Sequence, residues 1–127
     1  MSLKERFDQY YLGDSGIQRL VLDVDKQLCT LKLDRAALVR QLGTVFDWEV
    51  RYRPTKIIFQ GVRKVLFPEG YCFNYCIVDY SVVPSDQSGY FLFSFTITGG
   101  WDNDTFMRTI EIVARDFLLA GEVVTPA

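Results

Sequence analysis

Every odd position from Phe91 to Ile97 carries a large apolar side chain, within the stretch Tyr90-Phe91-Leu92-Phe93-Ser94-Phe95-Thr96-Ile97. Successive side chains of a strand point to opposite faces, so Phe91, Phe93, Phe95 and Ile97 form one wall of a buried sheet. The same rhythm predicts a first strand over residues 17–25, with Leu20, Leu22 and Val24 on one face. A turn at Asp25-Lys26-Gln27 leads to residues 28–33, where Cys29, Leu31 and Leu33 align, and the two segments read as a hairpin. Asp34 is placed to cap a short helix over residues 35–42, which Gly43 would end.

Residues 48–53 alternate apolar and charged before Pro54. The apolar segment 56–67 changes parity around Gly61, which predicts a bulge that bends the sheet. Pro68-Glu69-Gly70 reads as a turn, and residues 72–83 and 90–98 as two further strands joined by the polar loop 84–89. Residues 105–120 support two readings. Phe106, Ile110, Val113 and Phe117 make a helical stripe with Asp104 as N-cap and Gly121 as stop. Against this, Ile112 and Leu119 fall on the opposite face, and Thr109-Ile110-Glu111-Ile112-Val113 is β-branched at all but one position.

The expected fold is mainly β: an antiparallel meander of six to seven strands forming a sandwich or partial barrel, with one short helix. The alternative is an α+β fold with a C-terminal helix at about 105–120. Phe59, Val62, Cys76, Val78, Phe91, Phe93, Phe95, Ile97, Ile110 and Ile112 are the expected core. A chain of 127 residues, 49% hydrophobic and 24% charged, fits a single domain over 1–127 that buries its own core.

Net charge is −2 and the pI near 5.1, which argues against nucleic-acid binding. Arg51, Arg53, Lys56, Arg63 and Lys64 are a local basic exception, read as the solvated side of two strands rather than a phosphate groove. The polar start Met1-Ser2-Leu3-Lys4-Glu5-Arg6 lacks the apolar stretch of a signal peptide, and no apolar run is long enough for a membrane helix. A cytoplasmic protein with no membrane association is expected. There is no histidine, which removes Ser-His and Cys-His nucleophile systems and any His-containing zinc site. Cys72 and Cys76 lie four residues apart on an expected strand, about 13 Å and too far for a disulfide. All three cysteines read as small buried hydrophobes, and no metal or cofactor is expected.

Gly13-Asp14-Ser15, the hairpin, Ile58-Phe59-Gln60-Gly61-Val62, Cys76-Ile77-Val78-Asp79 and Ile110-Glu111-Ile112-Val113-Ala114-Arg115-Asp116-Phe117 follow one another in that order. This order resembles a family of small, mostly β bacterial proteins catalogued as immunity proteins of polymorphic-toxin systems, together with uncharacterised relatives. The resemblance covers roughly residues 12–120. It implies that the phrase Ile110 to Phe117 is a closing strand and that Asp14 belongs to a site. The family usually has histidine before that aspartate, where this chain has Gly13.

The candidate binding residues are Trp101, Asp102, Asp104, Asp14 and Tyr71. Trp101 sits beside two glycines and three polar residues, either as an interaction anchor or as a cover for one end of the sheet. Asp102-Asn103-Asp104 places oxygens as calcium loops do but lacks the following glycine and distal glutamate, and reads as a polar turn. Tyr10, Tyr11, Tyr71 and Tyr75, with Asp79, would suit a small-ligand pocket or cap strand ends. Asp23, Asp25 and Asp79 are the carboxylates an enzyme would have to use, but read as charged strand edges. The expected function is a non-enzymatic protein-binding module, in the likeness of a cytosolic immunity protein whose partner is a toxin domain. The alternative is a small-molecule-binding β protein. A homodimer through free sheet edges is compatible with either.

Overall fold

The fold, seen in a computed structural model, is described over residues 1–42, 45–68, 75–99 and 106–124. Helix α1 (Leu3–Asp8) is followed by β1 (Tyr10–Tyr11), β2 (Gly16–Asp23), β3 (Leu28–Leu33), β4 (Ala36–Leu42) and the long β5 (Val45–Gln60). Then come β6 (Lys64–Leu66), β7 (Tyr75–Pro84), β8 (Phe91–Gly99), β9 (Phe106–Ala114) and β10 (Asp116–Val123). These ten strands among the described residues make one antiparallel sheet that does not close, in the order β1-β4-β5-β3-β2-β7-β8-β9-β6, with β10 on β5.

The mainly β expectation stands, but the strands number ten rather than six or seven. Breaks at Asp34-Arg35, Gly61 and Arg115 divide long apolar runs into pairs of strands. At Gly61 the chain does not bulge within a strand. It turns with φ +62°, a backbone conformation in which a β-carbon is unfavourable, and leaves β5 for β6.

The helix expected at 35–42 is a strand. Ala36 pairs with Tyr52 and Leu42 with Val45, so β3 and β4 run end to end along one edge of β5. An isolated stretch with helical spacing is overruled there by the open backbone hydrogen-bonding groups of a 16-residue neighbour. Residues 106–123 likewise form β9 and β10, which decides for the strand reading over the C-terminal helix. Among the described residues the one helix is α1, which the sequence pattern did not flag. Its signal is the N-cap spacing Ser2-x-x-Glu5: the Ser2 hydroxyl accepts from the Glu5 backbone N–H at 3.1 Å and donates to the Glu5 carboxylate.

The wall on β8 is buried as its alternation requires, with Phe93 opposite Ile112 and Phe95 opposite Ile110 on β9. On β3 and β5, Cys29 pairs with Phe59 and Leu31 with Ile57, all buried. The sheet curls until these two walls meet, with the Phe59 and Phe93 rings 4.9 Å apart. Phe7 of α1 plugs one end, its ring edge-on to Phe93 at 5.3 Å and to Phe117 at 5.2 Å.

Three expected core positions differ, as do two positions on the expected face of the first strand. Val78 is 45% exposed because it is the extra residue of a bulge between the pairs Ile77↔Ile97 and Asp79↔Thr96. The bulge reverses parity, so Ile77 and Val82 point inward instead. Cys76 and Phe91 are only half-buried. Leu22 lies opposite buried Cys29, but β7 pairs with β2 only at Gly16 and Ile17, leaving Leu22 exposed at an open margin. Val24 lies past the end of β2 and is exposed.

Candidate functional site

Three strands at one edge of the sheet align Tyr11, Ala37 and Arg51 in a row, through the pairs Tyr11↔Ala37 and Ala37↔Arg51. Residues paired across antiparallel strands point to the same side. Arg53 follows Arg51 at the next same-side position of β5. Arg35, in the break between β3 and β4, lines the same cleft as Arg53.

These side chains line an open cleft of about 400 Å³ together with Gly13, Asp14, Ser15, Ala36, Tyr52 and Val124. Ala36 and Ala37 are buried, while Tyr11 and the three arginines are exposed. The cleft therefore has small apolar side chains beneath and charged and phenolic groups toward solvent.

The loop that carries Asp14 is fastened on both sides. The Asp14 N–H donates to the Ile77 carbonyl at 2.8 Å, and the Ile77 N–H donates to the Ser15 carbonyl at 2.9 Å. The buried Ser15 hydroxyl donates to the Arg35 carbonyl at 2.7 Å. The Gly16 N–H donates to the Asp34 carboxylate at 2.7 Å, and the Asp34 N–H returns a bond to the Gly16 carbonyl. Asp14 itself stands at φ +63° and is exposed. Gly13 gives the Tyr11 phenol its place: a β-carbon there would lie 2.7 Å from the Tyr11 hydroxyl oxygen. A side chain such as histidine at position 13 would displace that ring.

The electrostatics are uneven. Asp34 lies 3.7 Å from the Arg35 guanidinium, with its carboxylate already committed to Gly16. Among the described residues no carboxylate pairs with Arg51 or Arg53. Other arginines are better provided for. Arg6 pairs with Asp116 and lies over Phe117, while Arg63 and Arg115 both lie over Tyr90. Beside the cleft, burial pushes the Cys76 thiol up, and the Asp14 and Asp34 charges push it further. It is held as a protonated, poorly nucleophilic thiol. Such a site can grip an anion with planar guanidinium forks and offer rings for stacking.

Of the sequence candidates, Asp14 lies in the cleft. Trp101, Asp102, Asp104 and Tyr71 lie outside the described residues, as does Cys72. The tyrosines expected around one pocket are dispersed: Tyr75 is buried in the core, Tyr10 packs on Phe117, and Tyr11 alone of the described three lines the cleft. Asp23 accepts from the Lys26 N–H of its own turn, and exposed Asp79 from the Tyr80 N–H. Among the described residues no three His, Cys, Asp or Glu side chains gather as metal ligands, and no helix is long and apolar enough to cross a membrane.

Arg35 and Tyr52 were missed by the sequence reading, and Arg51 and Arg53 were read as solvent-facing strand charges. Their convergence depends on β4 pairing with β5, which a helix at 35–42 conceals. Compared with known proteins, the chain matches no family model, no curated protein and no solved structure.

Proposed function

We propose that the protein is a non-enzymatic binding module whose curled sheet, a partial barrel, presents the arginine- and tyrosine-lined cleft to a protein partner. The supporting observation is the cleft itself: exposed Arg35, Arg51, Arg53 and Tyr11 over a floor held by buried hydrogen bonds. Tyrosine and arginine dominate the energetics of protein interfaces, and a fixed floor lowers the entropy cost of using them. A cytosolic immunity protein that occludes a toxin domain fits this reading and the family resemblance. Such an interface would bury on the order of 1,600 Å² in total.

Photo-crosslinking from position 52 in the native cell tests it. One discrete protein adduct, absent when the crosslinker stands at Gln18, is expected. Crosslinking to no protein from any position on the cleft would overturn the reading.

A second reading is a small-molecule site. A cavity of about 400 Å³ lies within the range of ligand pockets, which run from about 300 to 1,000 Å³. A thermal-shift screen against metabolites separates the two, since a stabilising metabolite would favour this second reading.

A further inference from the structure

We infer that the cleft receives an acidic segment of a protein partner, whose carboxylates pair with Arg51 and Arg53. The inference rests on the protein-binding reading and names the chemistry of the partner.

Like charges directly opposite one another on neighbouring strands destabilise a sheet. One such pair is Lys32 opposite Lys56, on the face of β3 and β5 turned away from the core, while Arg35, Arg51 and Arg53 gather at the cleft. Arg19 of β2 pairs with Lys32, extending the row to a third strand. Arg6, Arg63 and Arg115 each meet a carboxylate or an aromatic ring. At the cleft the repulsion has no internal partner among the described residues beyond Asp34, which is engaged by Gly16. An external anion supplies what the fold withholds.

Three features select an acidic polypeptide among anions. The guanidinia are exposed, so a bare ion would remain hydrated and gain little; a segment adds apolar contact with Tyr11, Tyr52 and Val124. Guanidinium forks match carboxylates in a bidentate geometry. The chain as a whole carries net charge −2, and Asp14 stands in the cleft, so a long polyanion such as nucleic acid would meet repulsion beyond the basic patch.

The test is titration of the full-length protein, followed by backbone amide NMR, with a blocked hexaglutamate peptide. Inorganic phosphate and a twelve-residue oligothymidylate serve as comparison probes. The peptide is expected to shift the amides of Tyr11, Ala37, Arg51 and Val124. The double variant Arg51→Ala/Arg53→Ala should weaken it about tenfold or more, as loss of charge-assisted bonds requires. Unchanged amide positions of Phe93 and Ile97 in the variant report an intact fold, and Arg53→Gln serves as a second variant.

The inference is overturned if the peptide leaves the cleft amides unmoved at millimolar concentration or binds the variants equally well. It is also overturned if phosphate or oligothymidylate binds as tightly as the peptide. A partner crosslinked from position 52 that hexaglutamate does not displace would sink the acidic assignment alone. Absence of any crosslinked partner would sink the protein-binding reading.

Discussion

The ring of Phe59 on β5 meets that of Phe93 on β8 with centroids 4.9 Å apart and planes inclined by 66°. Edge-to-face contact places the positive rim of one ring against the negative face of the other. It joins the wall formed by β3, β5 and β10 to that formed by β8 and β9, and both side chains are fully buried. Phe93→Ala should therefore lower unfolding free energy by about 3–5 kcal/mol, the usual cost of emptying an aromatic core site. A urea titration reads it, and a loss under ~1 kcal/mol would place Phe93 outside the core.

Ile77 and Val78 are neighbours with opposite fates, Ile77 buried and Val78 exposed where the bulge begins. Ile77→Ala should cost about 2–5 kcal/mol. Val78→Thr should stay within about 0.5 kcal/mol of the parent, as at other surface positions. Equal costs in parallel denaturant melts would place Val78 in the core beside Ile77.

The legible parts of the fold were those where pattern and pairing agree. The odd positions of β8 and the trio Cys29, Leu31 and Leu33 could be read because one face of each strand is buried throughout. Val78 could not be read, since a bulge shifts parity without a glycine or proline to mark it. Residues 35–42 were misread because Leu38, Val39 and Leu42 recur at helical spacing, while the deciding term, pairing with β5, lies in a distant segment. With that strand hidden, Arg35 had no reason to share a cleft with Arg53. Asp14 was reached only through a resemblance. Its neighbours in the cleft come from β1, β4, β5 and the end of β10, and no local motif joins them.

Gly61 offers a backbone test. At φ +62°, with the Arg115 side chain 3.0 Å from where a β-carbon would stand, Gly61→Ala combines left-handed strain with crowding. The strain alone is about 1–2 kcal/mol. Guanidinium denaturation should show at least that loss, and an unchanged midpoint would argue for a relaxed turn.

Burial pushes the Cys29 thiol from 9.0 to about 11. The folded state thus holds this proton more tightly than the unfolded chain. The resulting stability is complete below about pH 9 and is lost as pH rises through about 11, an effect of about 2–3 kcal/mol for two pH units. Half-buried Tyr80 and Tyr10 are raised, chiefly by desolvation, and act in the same sense. Tyr90, lowered by its hydrogen bond from Arg115, acts in the opposite one. Comparing parent and Cys29→Ala isolates the thiol: the parent should lose more stability across that window. Identical pH profiles would show that Cys29 is accessible to solvent.

Thermal unfolding of Arg53→Ala at low ionic strength tests directly the proposal that the arginines of the cleft serve a ligand at the fold's expense. Relief of the repulsion from Arg35 should leave the midpoint unchanged or raise it, by the equivalent of about 0.2–1 kcal/mol. A fall equivalent to more than ~1 kcal/mol would mean that Arg53 holds the sheet together, and the cleft would lose its standing as a binding surface.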